Sequence, residues 1–286
     1  MTVPSHLPEI LRAVAERLAA EAAAYVAERR VEVFGADWAD AGAVASKSTP
    51  TDPVTVVDTE TEALLRRRLA ELRPGDPVLG EEGGGPSDTD HRTDAVTWVL
   101  DPIDGTVNFV YGIPAFSVSV AAQVGGVSMA GAVADVSAGD VYSAGLGLGA
   151  HVEGAGHRRR LRCTEVSELS MALLGTGFGY SPARRAAQAA LLAGLLPVVR
   201  DVRRIGSAAL DLCMVASGRL DAHYEHGLNV WDWAAGALIA AEAGAQVTLP
   251  PPGEGGAGLV MAAAPGVADA LRTEMSRLGG LAALPA

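Results

Sequence analysis

Seven positions hold most of the chemistry available to this chain: Lys47, Asp58, Glu81, Asp101, Asp104, Glu225 and Asp232. The densest group lies in Trp98-Val99-Leu100-Asp101-Pro102-Ile103-Asp104-Gly105-Thr106-Val107-Asn108-Phe109. The apolar run Val96 to Leu100 reads as a short buried strand. Two carboxylates end it, with a proline between them. Carboxylates at a strand's end are costly to bury unless something pairs them. Pro102 stiffens the backbone there, and Gly105 lets a ligand approach the chain closely. Free backbone N–H groups at Gly105 and Thr106 would suit an anion such as phosphate. Oxygen-only donors point to a hard cation, Mg2+ or Mn2+, rather than zinc. The plain alternative is a strand followed by an Asp-Pro turn.

The other five sit at edges of elements too. Glu81 and Glu82 follow the short strand Val78-Leu79 and are fenced by Gly80 and Gly83; an exposed acidic turn is the alternative. Asp58 opens a helix, with Asp58 or Thr59 as its cap, and capping is the ordinary role of such a residue. Asp232, between Trp231 and Trp233 at the start of an apolar helix, has the same ordinary explanation. Glu225 closes a strand over 220–224. Lys47 begins the polar turn cluster Lys47 to Pro53. If the elements pack into one sheet system, these edges converge on one cleft. Four or five carboxylates there repel one another strongly. Two or three Mg2+ ions bridged by a shared carboxylate would resolve the repulsion. The histidines at 6, 91, 151, 157, 223 and 226 fall in no ligand pattern and read as surface or packing residues.

The elements that must position these groups are legible by periodicity. Residues 7–30 read as an alanine-rich amphipathic helix, and 35–46 as a loop. A second helix starts at Asp58, buries Leu64, Leu65, Leu69 and Leu72, and ends at Pro74-Gly75. The segment 86–94 reads as a surface loop. Phe116 to Val124 alternates as a strand with one apolar face, Gly125-Gly126 is a hairpin signal, and strands over 127–134 and 141–144 follow. The run Gly145 to Ala150 superficially matches a dinucleotide fingerprint but has no helix behind it. From about residue 160 strands and helices alternate. Strands are expected at 173–177, 198–205, 220–224, 246–249 and 259–262. Helices are expected at 182–196, 207–217, 231–243 and 265–278, and a loop at 250–258. The change of pattern suggests an N-terminal α+β half, residues 1–150, and a C-terminal α/β half, residues 151–286, sharing the cleft.

With 286 residues, 49% apolar and 20% charged, the chain can build a sizeable core. Its 22 Lys and Arg against 34 Asp and Glu give a formal charge of −12. That argues against nucleic-acid or anionic-membrane partners. It leaves anionic substrates open, because a bound cation inverts the local field. Cys163 and Cys213 make no disulfide or metal pattern and suit a reducing cytoplasm. Neither a signal peptide nor an apolar run of about 18 residues is evident, so no export or membrane span is expected.

Gly80-Glu81-Glu82, the stretch Trp98 to Phe109, and Trp231-Asp232-Trp233-Ala234-Ala235-Gly236 resemble the signatures of the inositol monophosphatase family. Lys47 through Asp58 matches the family's upstream segment, and the likeness keeps its order over nearly the whole chain. Composition and the Gly-Thr-Val-Asn-Phe variant look most like the actinobacterial members. Val107 departs from the pattern, standing where the family usually has a second threonine. The resemblance implies a layered α-β-α-β-α sandwich of the inositol monophosphatase and sugar phosphatase type. It implies Mg2+-dependent hydrolysis of myo-inositol 1-phosphate, or of another polyol monophosphate, by metal-activated water.

Residue by residue, Glu81, Asp101 and the carbonyl of Ile103 would hold a first Mg2+. Asp101, Asp104 and Asp232 would hold a second, and a third, weaker one would sit by Glu81; Mn2+ is a possible substitute. Thr106 and Asp58, with Glu81, would orient the water, and Lys47 would temper the acid cluster. Phosphate would rest on the metals and on the N–H groups of Gly105 and Thr106. Glu225 and Asp232 would accept ring hydroxyls, and Gly206-Ser207-Ala208 would touch the cyclitol. Arg203 and Arg204 are surface residues or an anchor for a second phosphate. A cytoplasmic homodimer inhibited by Li+ is the further implication. Histidinol phosphate, fructose 1,6-bisphosphate and 3′-phosphoadenosine 5′-phosphate are the alternative substrates. A regulatory protein on the same fold is the alternative of a different class.

Overall fold

The first helix, α1 (Leu7–Phe34), buries Leu11, Ala15, Leu18, Ala22 and Val26, a stripe at helical spacing. It continues past the expected end at 30 and stops at Gly35, whose φ of 63° suits glycine. Arg29 and Arg30 hold the last turn: Arg29 pairs with Glu60, and Arg30 Nε donates to the carbonyl of Phe109 at 3.0 Å. The structure, a computed structural model, describes residues 6–35, 44–47, 53–86, 95–251 and 258–285. Most of the expected polar turn at 47–53 and of the expected loops at 35–46, 86–94 and 250–258 lies outside these residues.

A short antiparallel pair, β1 (Val44–Ser46) and β2 (Pro53–Thr55), leads into α2 (Val56–Leu72). Its cap is Thr55, ahead of the expected Asp58 or Thr59, and Asp58 is the other half of the capping box. Next come β3 (Val78–Gly80), β4 (Val96–Asp104), the one-and-a-half-turn helix α3 (Thr106–Tyr111), β5 (Ser117–Val124), β6 (Val127–Asp135), β7 (Asp140–Gly145), β8 (Gly149–Gly154) and β9 (His157–Arg160). The strands form one seven-stranded sheet in chain order, with β3 and β4 parallel and every later pair antiparallel. Gly125 and Gly126 both have positive φ, as the two-residue hairpin between β5 and β6 requires. The glycine-rich run at 145–149 is the turn between β7 and β8, not a dinucleotide loop.

The second half comprises β10 (Leu173–Thr176), α4 (Pro182–Leu195), β11 (Asp201–Arg203), α5 (Ala208–Ala216), β12 (Ala222–His226), α6 (Val230–Glu242), β13 (Gln246–Thr248), β14 (Leu259–Ala263) and α7 (Pro265–Arg277). Its strands form a five-stranded sheet in the order β11-β10-β12-β14-β13. The strand expected over 198–205 shrinks to three edge residues. The strand expected over 220–224 starts later and runs through Glu225 to His226. The meander expected to close near 150 continues through β8 and β9, so the first sheet ends at Arg160.

Five layers result. The helices α1 and α2 cover one face of the large sheet through Trp98, Leu100, Val118, Val120, Ala130 and Ala132. The helices α5 and α6 lie between the two sheets: Ala209, Leu210 and Cys213 pack on the large sheet, Ala208, Leu212 and Val215 on the small one. The helices α4 and α7 close the far side over Leu174, Tyr224 and Met261. This is the α-β-α-β-α sandwich. A helix apolar all round must be buried on both sides, which is why α5 and α6 form the middle layer. It also corrects the one-faced reading of β5. The polar face of that strand is buried too: Ser117 Oγ lies 3.3 Å from Ser207 Oγ, and Ser119 Oγ donates to the carbonyl of Trp231 at 3.2 Å.

Candidate active site

Asp101 and Asp104 are three residues apart in one strand, so regular pleating would send them to opposite faces. The ladder between β4 and β5 pairs Asp101 with Ser119 and Asp104 with Ser117, so β4 carries one extra residue between them. Such a bulge turns both side chains to the same side, and it is one of the few places in a sheet that tolerates a proline. Carboxylate oxygens of Asp101, Asp104 and Asp232 consequently lie within 4.8 Å of one another. Asp232 reaches them from the start of α6, where it also accepts the N–H of Asn229 at 2.7 Å as part of a capping box. The capping role and the place in the cluster are compatible.

Glu81 joins through β3, which runs parallel to β4, and its N–H donates to the Leu100 carbonyl at 3.2 Å. The turn that carries it is held by Glu62 of α2, which accepts the N–H groups of Glu82 and Gly83 at 2.7 and 2.9 Å. A Cβ at Gly80 or Gly83 would come within 2.4 or 2.6 Å of that carboxylate. The glycine fence is therefore a seat for Glu62, a buried acid of α2 that the sequence analysis did not single out. Lys47 Nζ bridges Glu81 at 2.7 Å and Glu82 at 2.5 Å. Burial works against its charge, but the two glutamates outweigh that and hold the ammonium above the ordinary lysine range.

Asp58 is fully buried, and Thr55 donates to it from both N–H and hydroxyl at 2.9 and 2.5 Å. Its other oxygen faces Thr106 Oγ1 at 3.2 Å, and that hydroxyl also lies 3.0 Å from the Ile103 carbonyl. A hydroxyl has one proton, so it serves one of these acceptors at a time. Thr106 is placed by α3, whose Phe109 is wedged edge-on between Phe34 and Phe116 at centroid distances of 5.4 and 5.3 Å. Gly105, with φ of 95°, makes the turn into that helix. A Cβ there would meet the carbonyls of Ala115 and Gly206 at 3.0 Å.

Asp104 accepts Ser207 Oγ at 2.5 Å and the Ala209 N–H at 2.7 Å, both from the start of α5. Glu81, Asp101, Asp104, Thr106 and Asp232 line a cleft of about 430 Å³ together with Lys47, Glu225, Arg204, Gly206 and Ala208. Two expected contacts do not reach it. Arg203 is exposed on an edge strand and pairs with Asp201 two residues back, on the same face of β11; the next residue, Arg204, turns into the cleft instead. Ser207 is buried behind Asp104, so its influence passes through that carboxylate.

Burial and mutual repulsion dominate the electrostatics. Burial, then Glu81, Asp104 and Asp232, hold the Asp101 carboxyl well above the carboxylate range. Burial and the neighbouring acids push Glu81 up to about 7 even against Lys47. Burial pushes Asp104 to about 6 against the pull of Ser207 and Ala209, and Glu225 to about 8. Among the described residues, the buried Oδ1 of Asp101 has no hydrogen-bond partner. An orphaned carboxylate oxygen inside an all-oxygen, self-repelling donor set is what a hard divalent cation satisfies, so these residues fit such an ion.

Fold and site together define a layered α/β protein with the donor set of a divalent-cation centre in its cleft. Residues 8–281 match the family described as Inositol monophosphatase family, and the chain belongs to it. It is similar to the inositol-1-monophosphatase of Mycobacterium leprae, 71% identical over 287 residues and 99% of each chain. A solved structure, Mycobacterium tuberculosis SuhB, superposes with a TM-score of 0.82 at 62% identity, covering 96% of this chain and 99% of that one. A more distant relative, the Nus factor SuhB of Vibrio cholerae, is 39% identical over 198 residues, 69% of this chain and 72% of that protein. The chain is thus a phosphatase of the inositol monophosphatase type. No helix among the described residues is long and apolar enough to cross a membrane.

Proposed function

We propose that this protein hydrolyses myo-inositol 1-phosphate, and related polyol monophosphates, to the polyol and phosphate with Mg2+ as cofactor. The observation that carries the reading is the convergence of Asp101, Asp104 and Asp232 within 4.8 Å, beside Glu81 and opposite Glu225. Glu81, Asp101 and the Ile103 carbonyl would hold one Mg2+, and Asp101, Asp104 and Asp232 would hold a second. When bound, the ions supply Lewis acidity to the phosphoryl oxygens and acidify a water held next to them.

The chain's own groups do the rest. Asp58 accepts a hydrogen bond from the Thr106 hydroxyl, which leaves a lone pair on Thr106 Oγ1 to accept from the attacking water. Glu81 orients that water from the other side. Water oxygen bonds to phosphorus while one water proton passes to Glu81, the ester P–O bond breaks, and that proton is handed on to the departing alkoxide, so polyol and hydrogen phosphate leave and Glu81 is regenerated. The N–H groups of Gly105 and Thr106 support the phosphate, and Lys47 limits repulsion around Glu81. Glu225 and Asp232 accept hydroxyls of the polyol, and Gly206 and Ala208 form the wall against its ring.

The regulatory alternative has the Vibrio cholerae relative on its side. The complete carboxylate set and the far greater likeness to the Mycobacterium leprae enzyme favour catalysis here. The test is phosphate release with Mg2+ from myo-inositol 1-phosphate, glycerol 2-phosphate, histidinol phosphate, fructose 1,6-bisphosphate and 3′-phosphoadenosine 5′-phosphate. Preference for the inositol ester, abolished by EDTA and lowered by Li+, is the expected result. Preference for another ester overturns the substrate, and release from none of them overturns the reading.

A further inference from the structure

Behind Glu225 runs a row of buried polar groups that the reaction above does not use. His223 is two residues back on β12, on the same face of the strand, and is fully buried. Its Nε2 lies 3.7 Å from Glu225 Oε2, and its Nδ1 lies 3.8 Å from Asp211 Oδ2 on α5. Both distances exceed a hydrogen bond by less than an ångström, a gap that a modest side-chain rotation closes. Neither ring nitrogen has a partner among the described residues, and nor does Asp211 Oδ1. Buried polar groups are almost always paired, and among the described residues the acidic groups within 4 Å of these nitrogens are the two carboxylates.

The neighbouring strand is shaped to this row. A Cβ at Gly175 would stand 3.1 Å from His223 Nδ1 and 3.2 Å from Asp211 Oδ1. A Cβ at Gly177 would stand 2.1 Å from the Glu225 carboxylate. Two glycines at a spacing of two lie on one face of an extended chain and make room for the imidazole and both acids.

We propose that His223 is a positioning residue for substrate recognition: it donates Nε2–H to Glu225 and accepts at Nδ1 from a protonated Asp211, aiming Glu225 as an ionised acceptor at a polyol hydroxyl. This rests on the reading of Glu225 as a polyol contact. The direction of the row follows from solvent. Burial leaves the imidazole neutral, so it has one donor and one acceptor. One carboxyl must then carry a proton. Asp211 is at the dry end, 1% exposed, whereas Glu225 opens on the cleft with Arg204. Burial raises both acids, Asp211 well above the carboxylate range and Glu225 to about 8, so the charge resides on Glu225, at the wetter end, once the pH passes about 8.

The test is steady-state phosphate release with Mg2+ by wild type, His223→Leu and His223→Gln, on myo-inositol 1-phosphate and on 4-nitrophenyl phosphate, which has no polyol hydroxyl. His223→Leu is expected to raise KM for the inositol ester about tenfold with kcat within about twofold, and to leave 4-nitrophenyl phosphate hydrolysis within about twofold. Glutamine, which places an N–H near the Nε2 position, is expected to restore most of the loss. Equal effects on both esters, or none on either, overturn the proposal. Nitrogen-15 NMR of histidine-labelled wild type is the second measurement: a proton on Nε2 is expected, and a ring protonated on Nδ1 alone overturns it even if His223→Leu fails to fold. If wild type turns over neither ester, the phosphatase reading falls, and the tautomer still decides whether the row exists.

Discussion

At the scale of residues, Asp101 is the pivot, because it faces Asp104, Asp232 and Glu81 at once and has an oxygen that nothing among the described residues satisfies. Asp101→Asn removes a cation ligand and a source of repulsion together. Its phosphatase activity is expected to fall at least about a hundredfold, while its melting temperature without metal rises above that of wild type. A calorimetric scan in EDTA checks the second half, and a lower melting temperature there would contradict the repulsion argument. Arg203 and Arg204 offer a second contrast at this scale. Arg203→Ala breaks only an exposed pair with Asp201 and is expected to leave kcat/KM within about twofold, since such pairs contribute little. Arg204→Ala is expected to raise KM, and equal behaviour of the two variants in steady-state kinetics would show that the cleft wall is drawn wrongly.

Elements place these residues through close approach. The middle-layer helix α6 packs on β6 where Gly131 meets Ala235; a Cβ on Gly131 would sit 2.7 Å from the Ala235 Cα. That atom is backbone and cannot rotate aside. Gly131→Ala is therefore expected to destabilise the protein by about 1–3 kcal/mol, the usual range for overpacking. Because α6 carries Asp232, activity should fall as well. A denaturant midpoint unchanged from wild type would refute the packing. The bulge in β4 acts at the same scale. Removing its extra residue would return Asp101 and Asp104 to opposite faces, so no single-residue deletion in Pro102-Ile103 should retain phosphate release or Mg2+-dependent stabilisation.

For the whole molecule, the raised carboxyl groups link stability to pH and to cations. Glu81, Asp104 and Glu225 ionise at about 7, 6 and 8 in the folded chain, above the ordinary values near 4 expected in the unfolded one. Between those limits the folded state holds more protons than the unfolded state, so stability falls as pH rises. The metal-free protein is expected to be most stable near pH 4–5 with respect to these groups and to lose stability up to about pH 8. The proposed Mg2+ would bind the ionised forms, so its stabilising shift in melting temperature should be larger at pH 8 than at pH 5. A shift independent of pH would separate the cation from this cluster.

What the chain determined without its tertiary structure was mostly local chemistry. The acids beside turns, the Asp-Pro break after an apolar run, the Gly125-Gly126 hairpin and the two-sided apolar helices are written within short windows, and the order of the motifs carries the family. The helices were legible because their period is set by neighbours one turn away. What only the tertiary structure decided were the pairings across long separations. Thr106 meets Asp58 across 48 residues and Ser207 meets Asp104 across 103. Glu62 clamps the Glu81 turn, His223 falls between two acids, and Arg204 rather than Arg203 enters the cleft. Each depends on strand order, on a bulge that shifts the pleat by one residue, or on which face a helix gives to which sheet. Those choices maximise buried apolar surface and minimise unpaired polar groups over the whole molecule, and no single stretch of sequence records them.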